Sequence, residues 1–148
     1  MAQTQLAAAI AALWLAGAAP ISATGSAAKI KPNSHGDTND VYSITYQFEN
    51  GLILNHRGEH DRNTHGFAAS CTAYGQHGYA EVNYQGNAGI RGTKGGYKGG
   101  EIKGLYREGI QRNLDLFHKN ITEAQYENPT AKAGVNSTLT TILGREAG

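Results

Sequence analysis

The sequence predicts an α+β fold: an open, mostly antiparallel sheet with helices on one face. Three observations predict it. Short stretches of alternating apolar and polar residues, separated by turn residues, fill residues 20–91. An Asn50-Gly51 pair joins two of these stretches, and this pair is a strong signal for a β-hairpin. Two stretches with helical periodicity fill residues 105–147. With 148 residues in all, the chain has the length of a single domain, residues 1–148.

The N-terminal residues 1–16 are predicted to form a truncated leading helix. Leu6–Ala19 is apolar and rich in alanine, and Gly17 and Pro20 are typical of a helix end. A cleaved export signal is the alternative, with cleavage expected near Ala27. The basic segment that opens such signals is missing here, and the apolar run is too short to cross a bilayer. The helix is favoured and export stays open.

The clearest strand prediction is the hairpin around Asn50-Gly51. Residues 41–48 alternate, so that four large apolar side chains share one face, and residues 52–56 continue as a second extended run. The four are Tyr42, Ile44, Tyr46 and Phe48. Further strands are predicted at residues 21–30, 68–74, 79–84 and 88–91, with 68–74 and 79–84 antiparallel to each other and a turn region at 92–100.

Each predicted C-terminal helix carries one apolar stripe. The first stripe is Ile110, Leu114, Phe117 and Ile121, and the second is Val135, Leu139, Ile142 and Leu143. Asn128-Pro129-Thr130 separates the helices, because proline restricts the residue before it and cannot continue a helix. Asn136 or Ser137 is predicted to cap the start of the second helix.

Composition excludes several classes of protein. The net charge is +1 and charged residues make up 17% of the chain, so the totals show no basic patch for nucleic acid or for a membrane surface. The single cysteine, Cys71, excludes an internal disulfide and fits a reducing compartment. Its strand-like surroundings predict a small buried residue rather than a nucleophile. Cytoplasmic location is therefore expected, with a periplasmic or secreted one left open.

The densest group of polar side chains follows the hairpin. His56, Arg57, His60 and His65 are grouped there, and such side chains suit hydrogen bonding to a polyhydroxylated or carboxylated substrate. A metal site is disfavoured, because Gly58 interrupts any helix that would align the histidines and the nearby arginines repel a cation. A solvated loop remains the alternative to a substrate site.

No segment predicts a nucleotide-binding site. The glycine clusters at residues 86–89 and 95–100 lack the strand–GxGxxG–helix context of a dinucleotide fold, and Glu101 would oppose an anion beside the second cluster. We therefore expect no cofactor to be bound by this chain.

Three segments, in order, resemble one enzyme family. Residues 95–148 form a glycine-rich turn followed by two helices that end in Ile-Leu-Gly-Arg-Glu-Ala; residues 11–20 and 40–51 precede them as a helix around Trp14 and a long hairpin. Together they resemble the C-terminal domain of the glucose–fructose oxidoreductase/inositol dehydrogenase (Gfo/Idh/MocA) family. The resemblance implies an open sheet whose free face packs against a partner subunit, and full-length enzymes that transfer hydride between NAD(P) and a sugar or polyol.

The chain departs from that family where the chemistry occurs. The family's cofactor domain and its Glu-Lys-Pro lysine are missing, and its His-x-x-Asp pair falls on Ala7 and Ile10, which cannot move a proton. No catalytic residue is therefore predicted, and both ends look truncated. The expected function is the substrate-side and oligomerisation domain of such an oxidoreductase, inactive alone and homo-oligomeric through the sheet face. The alternative is a small, non-enzymatic binding protein, exported or not.

Overall fold

The computed structural model describes residues 12–13, 16–31, 36, 39–60, 66–128 and 130–148. It confirms the α+β class, with antiparallel strands in open sheets and helices beside them. The strands are β1 (Ser22–Ala28), β2 (Val41–Gln47), β3 (Ile53–Glu59), β4 (Ser70–Gly75), β5 (Gly78–Asn83), β6 (Ala88–Gly92) and β7 (Gly95–Lys98). The helices are α1 (Leu105–Thr122) and α2 (Ala131–Ala147), and the described N-terminal residues Ala12, Leu13 and Ala16 are helical too.

The strands form two separate sheets, and the chain divides into two compact units. The first unit comprises Met1–Ala69 and Lys132–Gly148, and the second comprises Ser70–Ala131. The first unit contains a three-stranded sheet of order β1-β2-β3, and the second a four-stranded sheet of order β4-β5-β6-β7. All neighbouring strands are antiparallel.

The predicted hairpin at Asn50-Gly51 is present. Strands β2 and β3 pair from Gln47 opposite Ile53 to Val41 opposite Glu59. Gly51 adopts φ +81°, a conformation that glycine reaches without the clash a side chain would cause. The second strand continues to Glu59, three residues beyond its predicted end at residue 56.

The core of the first unit lies on the apolar face of β2. Tyr42, Ile44, Tyr46 and Phe48 are buried together with Leu13, and Leu143 of α2 packs against them. The chain itself therefore covers this face of the sheet, a question that the sequence left open.

Helix α2 is buried on the side that carries its small residues. Its buried positions are Ser137, Thr140, Thr141 and Gly144. The predicted apolar stripe is largely on the outside, because Val135 and Leu139 are 56% and 58% exposed and only Leu143 packs against the core. An apolar stripe normally faces the core, so the orientation of this helix is the reverse of the usual one.

Local hydrogen bonds explain how this polar face can be buried. The hydroxyl of Ser137 donates to the carbonyl of Ala133 at 2.8 Å, and that of Thr140 donates to Asn136 at 2.8 Å. The hydroxyls are therefore satisfied within the helix, and their burial leaves no donor unpaired. The prediction that Asn136 or Ser137 caps the helix is wrong, since α2 begins at Ala131 and both residues lie inside it.

The second unit is built on a meander. Cys71 on β4 lies opposite Val82 on β5 and is half-buried, and burial raises the pKa of its thiol. The predicted turn region at residues 92–100 contains the edge strand β7, which pairs with β6 from Gly92–Gly95 to Gly89–Lys98. The sequence predicted a turn here and not a strand, because the segment is rich in glycine and glycine is a poor strand former.

Helix α1 follows Gly104, which takes φ +71° at its start. None of its residues is buried: Ile110, Leu114, Phe117 and Ile121 are all between 58% and 65% exposed. Within the described residues no helix has the length and apolar character needed to cross a bilayer.

Candidate functional site

Strand β3 separates two of the predicted site residues. His56 lies opposite Ile44 and Arg57 lies opposite Ser43 in the pairing of β3 with β2. Since successive side chains of a strand point to opposite faces, His56 shares the core face with Ile44, and Arg57 lies on the other face of the sheet.

His56 is held as a neutral imidazole. It is half-buried on an edge strand, and burial lowers its pKa below the usual value of 6.5. A neutral ring has one nitrogen that donates and one that accepts. His56 can therefore bind a hydroxyl group either way without bringing a charge to the site.

Arg57 is already paired on the outer face. Its Nε donates to Oε1 of Glu59 at 2.8 Å, and its Nη2 contacts the same oxygen. The side chain of Arg57 is 79% exposed, so this pair lies in solvent and contributes little to stability. Most of the rest of that face carries hydroxyl and amide groups, namely Ser22, Thr24, Ser26, Ser43, Thr45, Gln47 and Asn55, with Ala28, Val41 and the exposed Ile53 at its ends.

His60 belongs to a junction where the ends of three strands meet. Its backbone N–H donates to the carbonyl of Asp40 at 2.7 Å, and its Nδ1 accepts from Nζ of Lys31 at 3.2 Å. The carboxylate of Asp40 accepts the backbone N–H groups of Ile30 at 2.8 Å and Lys31 at 3.0 Å. The N–H of Ile30 is the main cause that lowers the pKa of Asp40, so this carboxylate is ionised at neutral pH.

The described members of the predicted group do not form one cluster. His56 faces the core side, Arg57 faces the outer side, and His60 lies at the strand end with Lys31 and Asp40. His65 lies outside the described residues. Contact between these side chains and a substrate stays a prediction. The described members lie in three places: the core face of the sheet, its outer face and the end of β3.

Asp40 is the residue that sequence reasoning missed. It follows a polar loop directly before β2, a place where aspartate side chains often accept backbone N–H groups. That local signal predicts a turn, but the partners Ile30 and Lys31 become visible only when β1 and β2 pair. Among the described residues, no group of three or more His, Cys, Asp or Glu side chains is arranged to hold a metal ion.

Comparisons with known proteins agree with the fold. No family model matches the sequence, and no curated protein matches it. A solved structure from Thermotoga maritima, described as that of a "putative oxidoreductase", is similar with a TM-score of 0.65 and 14% identity. The match covers 97% of this chain and 44% of that one, so this chain spans less than half the length of its structural relative. At this identity the likeness shows that the two proteins share a fold over this stretch.

Proposed function

We propose that this chain is the substrate-side domain of a nicotinamide-dependent oxidoreductase of the Gfo/Idh/MocA type, which acts on sugars or polyols. The observation that carries the proposal is the fold likeness along 97% of the chain to less than half of the Thermotoga maritima structure. The order of helix, hairpin and C-terminal helices in the sequence supports the same family. The nicotinamide cofactor would be held by a separate cofactor domain, and the intact enzyme would work in the cytoplasm.

The part of this domain best suited to a polyol is His56. A polyol is recognised by several neutral donors and acceptors, and the lowered pKa of His56 keeps its ring neutral. This ring lies at an edge strand, where a ligand can approach from the side. Arg57 on the opposite face is occupied by Glu59. We therefore assign the polyol contact within the predicted group to His56 first.

The test is ligand titration followed by NMR. In ¹H–¹³C spectra of the histidine rings, myo-inositol should shift the His56 signals with a Kd of about 1 mM or weaker, since this domain would supply only one wall of the cleft. His56→Ala should abolish the shifts elsewhere on β3, whereas His77→Ala, in the β4–β5 turn, should leave them unchanged. Titration of sugars and polyols that leaves the His56 signals unmoved would contradict the proposal.

We also propose that the chain associates through the outer face of the first sheet. The apolar face of that sheet is covered from within the chain, and the outer face carries Ser43 at its centre between Ser26 and Arg57. Light scattering should show a dimer or larger species. Ser43→Arg should weaken it, because two such faces would then bring like charges together, and Thr138→Arg on the exposed side of α2 is the control. A monomer at high concentration would refute this association.

A further inference from the structure

One face of the second sheet carries a group of polar side chains around a depression, beside the ring pair of Tyr74 and Tyr79. By strand register, Thr72, Glu81, Gly89 and Lys98 form one row across the four strands. Asn83 and Arg91 lie on the same face, each two residues along its strand from this row. These six residues line a depression of about 380 Å³, which we call the basin. Its volume falls within the range of small-molecule sites.

Gly89 opens the centre of the basin. A Cβ at this position would lie 3.3 Å from Oε1 and 3.5 Å from Cγ of Glu81, so the side chain of Glu81 extends over the glycine towards β7. Lys98 lies on the far side of Gly89, two strand spacings or about 10 Å from Glu81. A side chain larger than hydrogen at residue 89 would fill the space between the two charges.

The charges of the basin are not neutralised by one another. None of the ion pairs among the described residues involves Glu81, Arg91 or Lys98. With two cations and one carboxylate, the basin carries a net charge of +1. It therefore favours a ligand with a single negative charge, because a dianion would leave the carboxylate of Glu81 beside an excess of negative charge.

Neutral polar groups complete the wall. Oδ1 of Asn83 accepts two hydrogen bonds from Asn87, one from its backbone N–H at 3.0 Å and one from its side-chain Nδ2 at 3.3 Å. They fix the side chain of Asn83 at the rim. Its amide N–H groups and the hydroxyl of Thr72 are suited to ligand hydroxyls, and so is the carboxylate of Glu81, which accepts hydrogen bonds only. The basin thus combines cationic donors with acceptors for hydroxyl groups.

We propose that the basin binds a small hydroxylated monocarboxylate of the sugar-acid class. Arg91 and Lys98 hold the carboxylate through charge-assisted hydrogen bonds, and Glu81, Thr72 and Asn83 bind the hydroxyls. A neutral polyol would make the second set of contacts and lose the first. The inference stands apart from the proposed oxidoreductase function, because it depends only on residues of the second unit and needs neither His56 nor a cofactor.

The experiment uses gluconate as the probe in isothermal titration and NMR. Gluconate should bind about tenfold or more tightly than its neutral analogue glucitol, and more tightly than the more highly charged 6-phosphogluconate. The double variant Arg91→Gln/Lys98→Gln should lose this preference, with backbone shifts of β5–β7 no longer responding to gluconate. Gly89→Val, which suits a strand, should weaken binding by filling the centre of the basin.

The matched control removes two lysines outside the basin. Lys94→Gln/Lys103→Gln has the same change in net charge and should bind gluconate like the original protein. Circular dichroism melting of each variant checks that it is folded, and Arg91 and Lys98 are exposed enough to be replaced without disturbing a core. Three results would each overturn the proposal. They are equal affinity for gluconate and glucitol, an equal loss of gluconate affinity in the two double variants, and no binding of gluconate at all.

Discussion

Gly144 of α2 lies directly against the hydroxyl end of Tyr46. A Cβ built on Gly144 would overlap the Tyr46 hydroxyl oxygen and lie 2.9 Å from Cζ of the ring. Tyr46 is 1% exposed, and burial raises the pKa of its phenol. The helix can approach the sheet this closely only because residue 144 has no side chain, and this contact sets where α2 lies on the core of the first unit.

Gly144→Ala should destabilise the protein by about 2 kcal/mol, as overpacking of a filled core does. Gly134→Ala in the same helix is the control: a Cβ there meets nothing within 4 Å, so the substitution should be neutral or stabilising by up to about 1 kcal/mol. Urea unfolding of both variants measures the difference. Equal stabilities would show that α2 does not approach Tyr46 as described.

Tyr46→Phe should relieve part of the cost of Gly144→Ala. Removing the hydroxyl takes away the overlapping atom, although the ring carbon at 2.9 Å remains. A double-mutant cycle should therefore give a coupling energy of about 1 kcal/mol, in the range seen for residues in contact. Strict additivity of the two changes would contradict direct contact between these residues.

Substitutions on the small-residue face of α2 should cost more stability than substitutions on its apolar stripe, although hydrophobic periodicity alone predicts the reverse. Ser137 is 0% exposed, so Ser137→Leu should cost about 1–3 kcal/mol through overpacking. Leu139 is 58% exposed, so Leu139→Gln should change the free energy of unfolding by less than about 0.5 kcal/mol. Thermal or urea unfolding measures both changes. A larger loss of stability for Leu139→Gln than for Ser137→Leu would show that the apolar stripe of α2 faces the core after all.

His56 should make folding less favourable as the pH falls. Burial lowers its folded pKa below 6.5, so the unfolded chain binds a proton more readily. This contribution to stability is complete above pH 6.5 and is lost as the pH falls from 6.5 through the folded pKa. His56→Gln should reduce the drop in unfolding free energy between pH 7.5 and pH 5.5, and the NMR titration midpoint of the His56 ring should lie below 6.5. A midpoint at or above 6.5 would contradict the buried placement.

Nicotinamide cofactors should not bind this chain. The sequence has no strand–GxGxxG–helix unit with an acidic residue placed for the ribose. Isothermal titration with NAD and NADP, oxidised and reduced, should therefore give only heats of dilution. Micromolar affinity for any of the four would require a nucleotide site that the sequence does not indicate, and would remove the need for a separate cofactor domain.

The sequence by itself determined the class of the fold and most of its elements. Alternation placed Tyr42, Ile44, Tyr46 and Phe48 on one face of β2, and Asn50-Gly51 placed the hairpin turn, because both signals are local properties of the backbone. The break at residues 128–130 likewise separated the two helices, since proline acts on its immediate neighbours.

Only the tertiary structure decided which faces meet and which polar groups converge. Periodicity marked Val135 and Leu139 as the buried side of α2, yet Ser137 and Gly144 are among its buried residues. Gly144 lies against Tyr46, because a residue without a side chain lets the helix approach the tyrosine ring closely. The chain neighbours His56 and Arg57 were expected at one site and lie on opposite faces once β3 is extended. Neighbouring residues of a strand point to opposite faces, so they do not share a site. The side chains that meet on one face of a sheet come from residues that are distant in the chain.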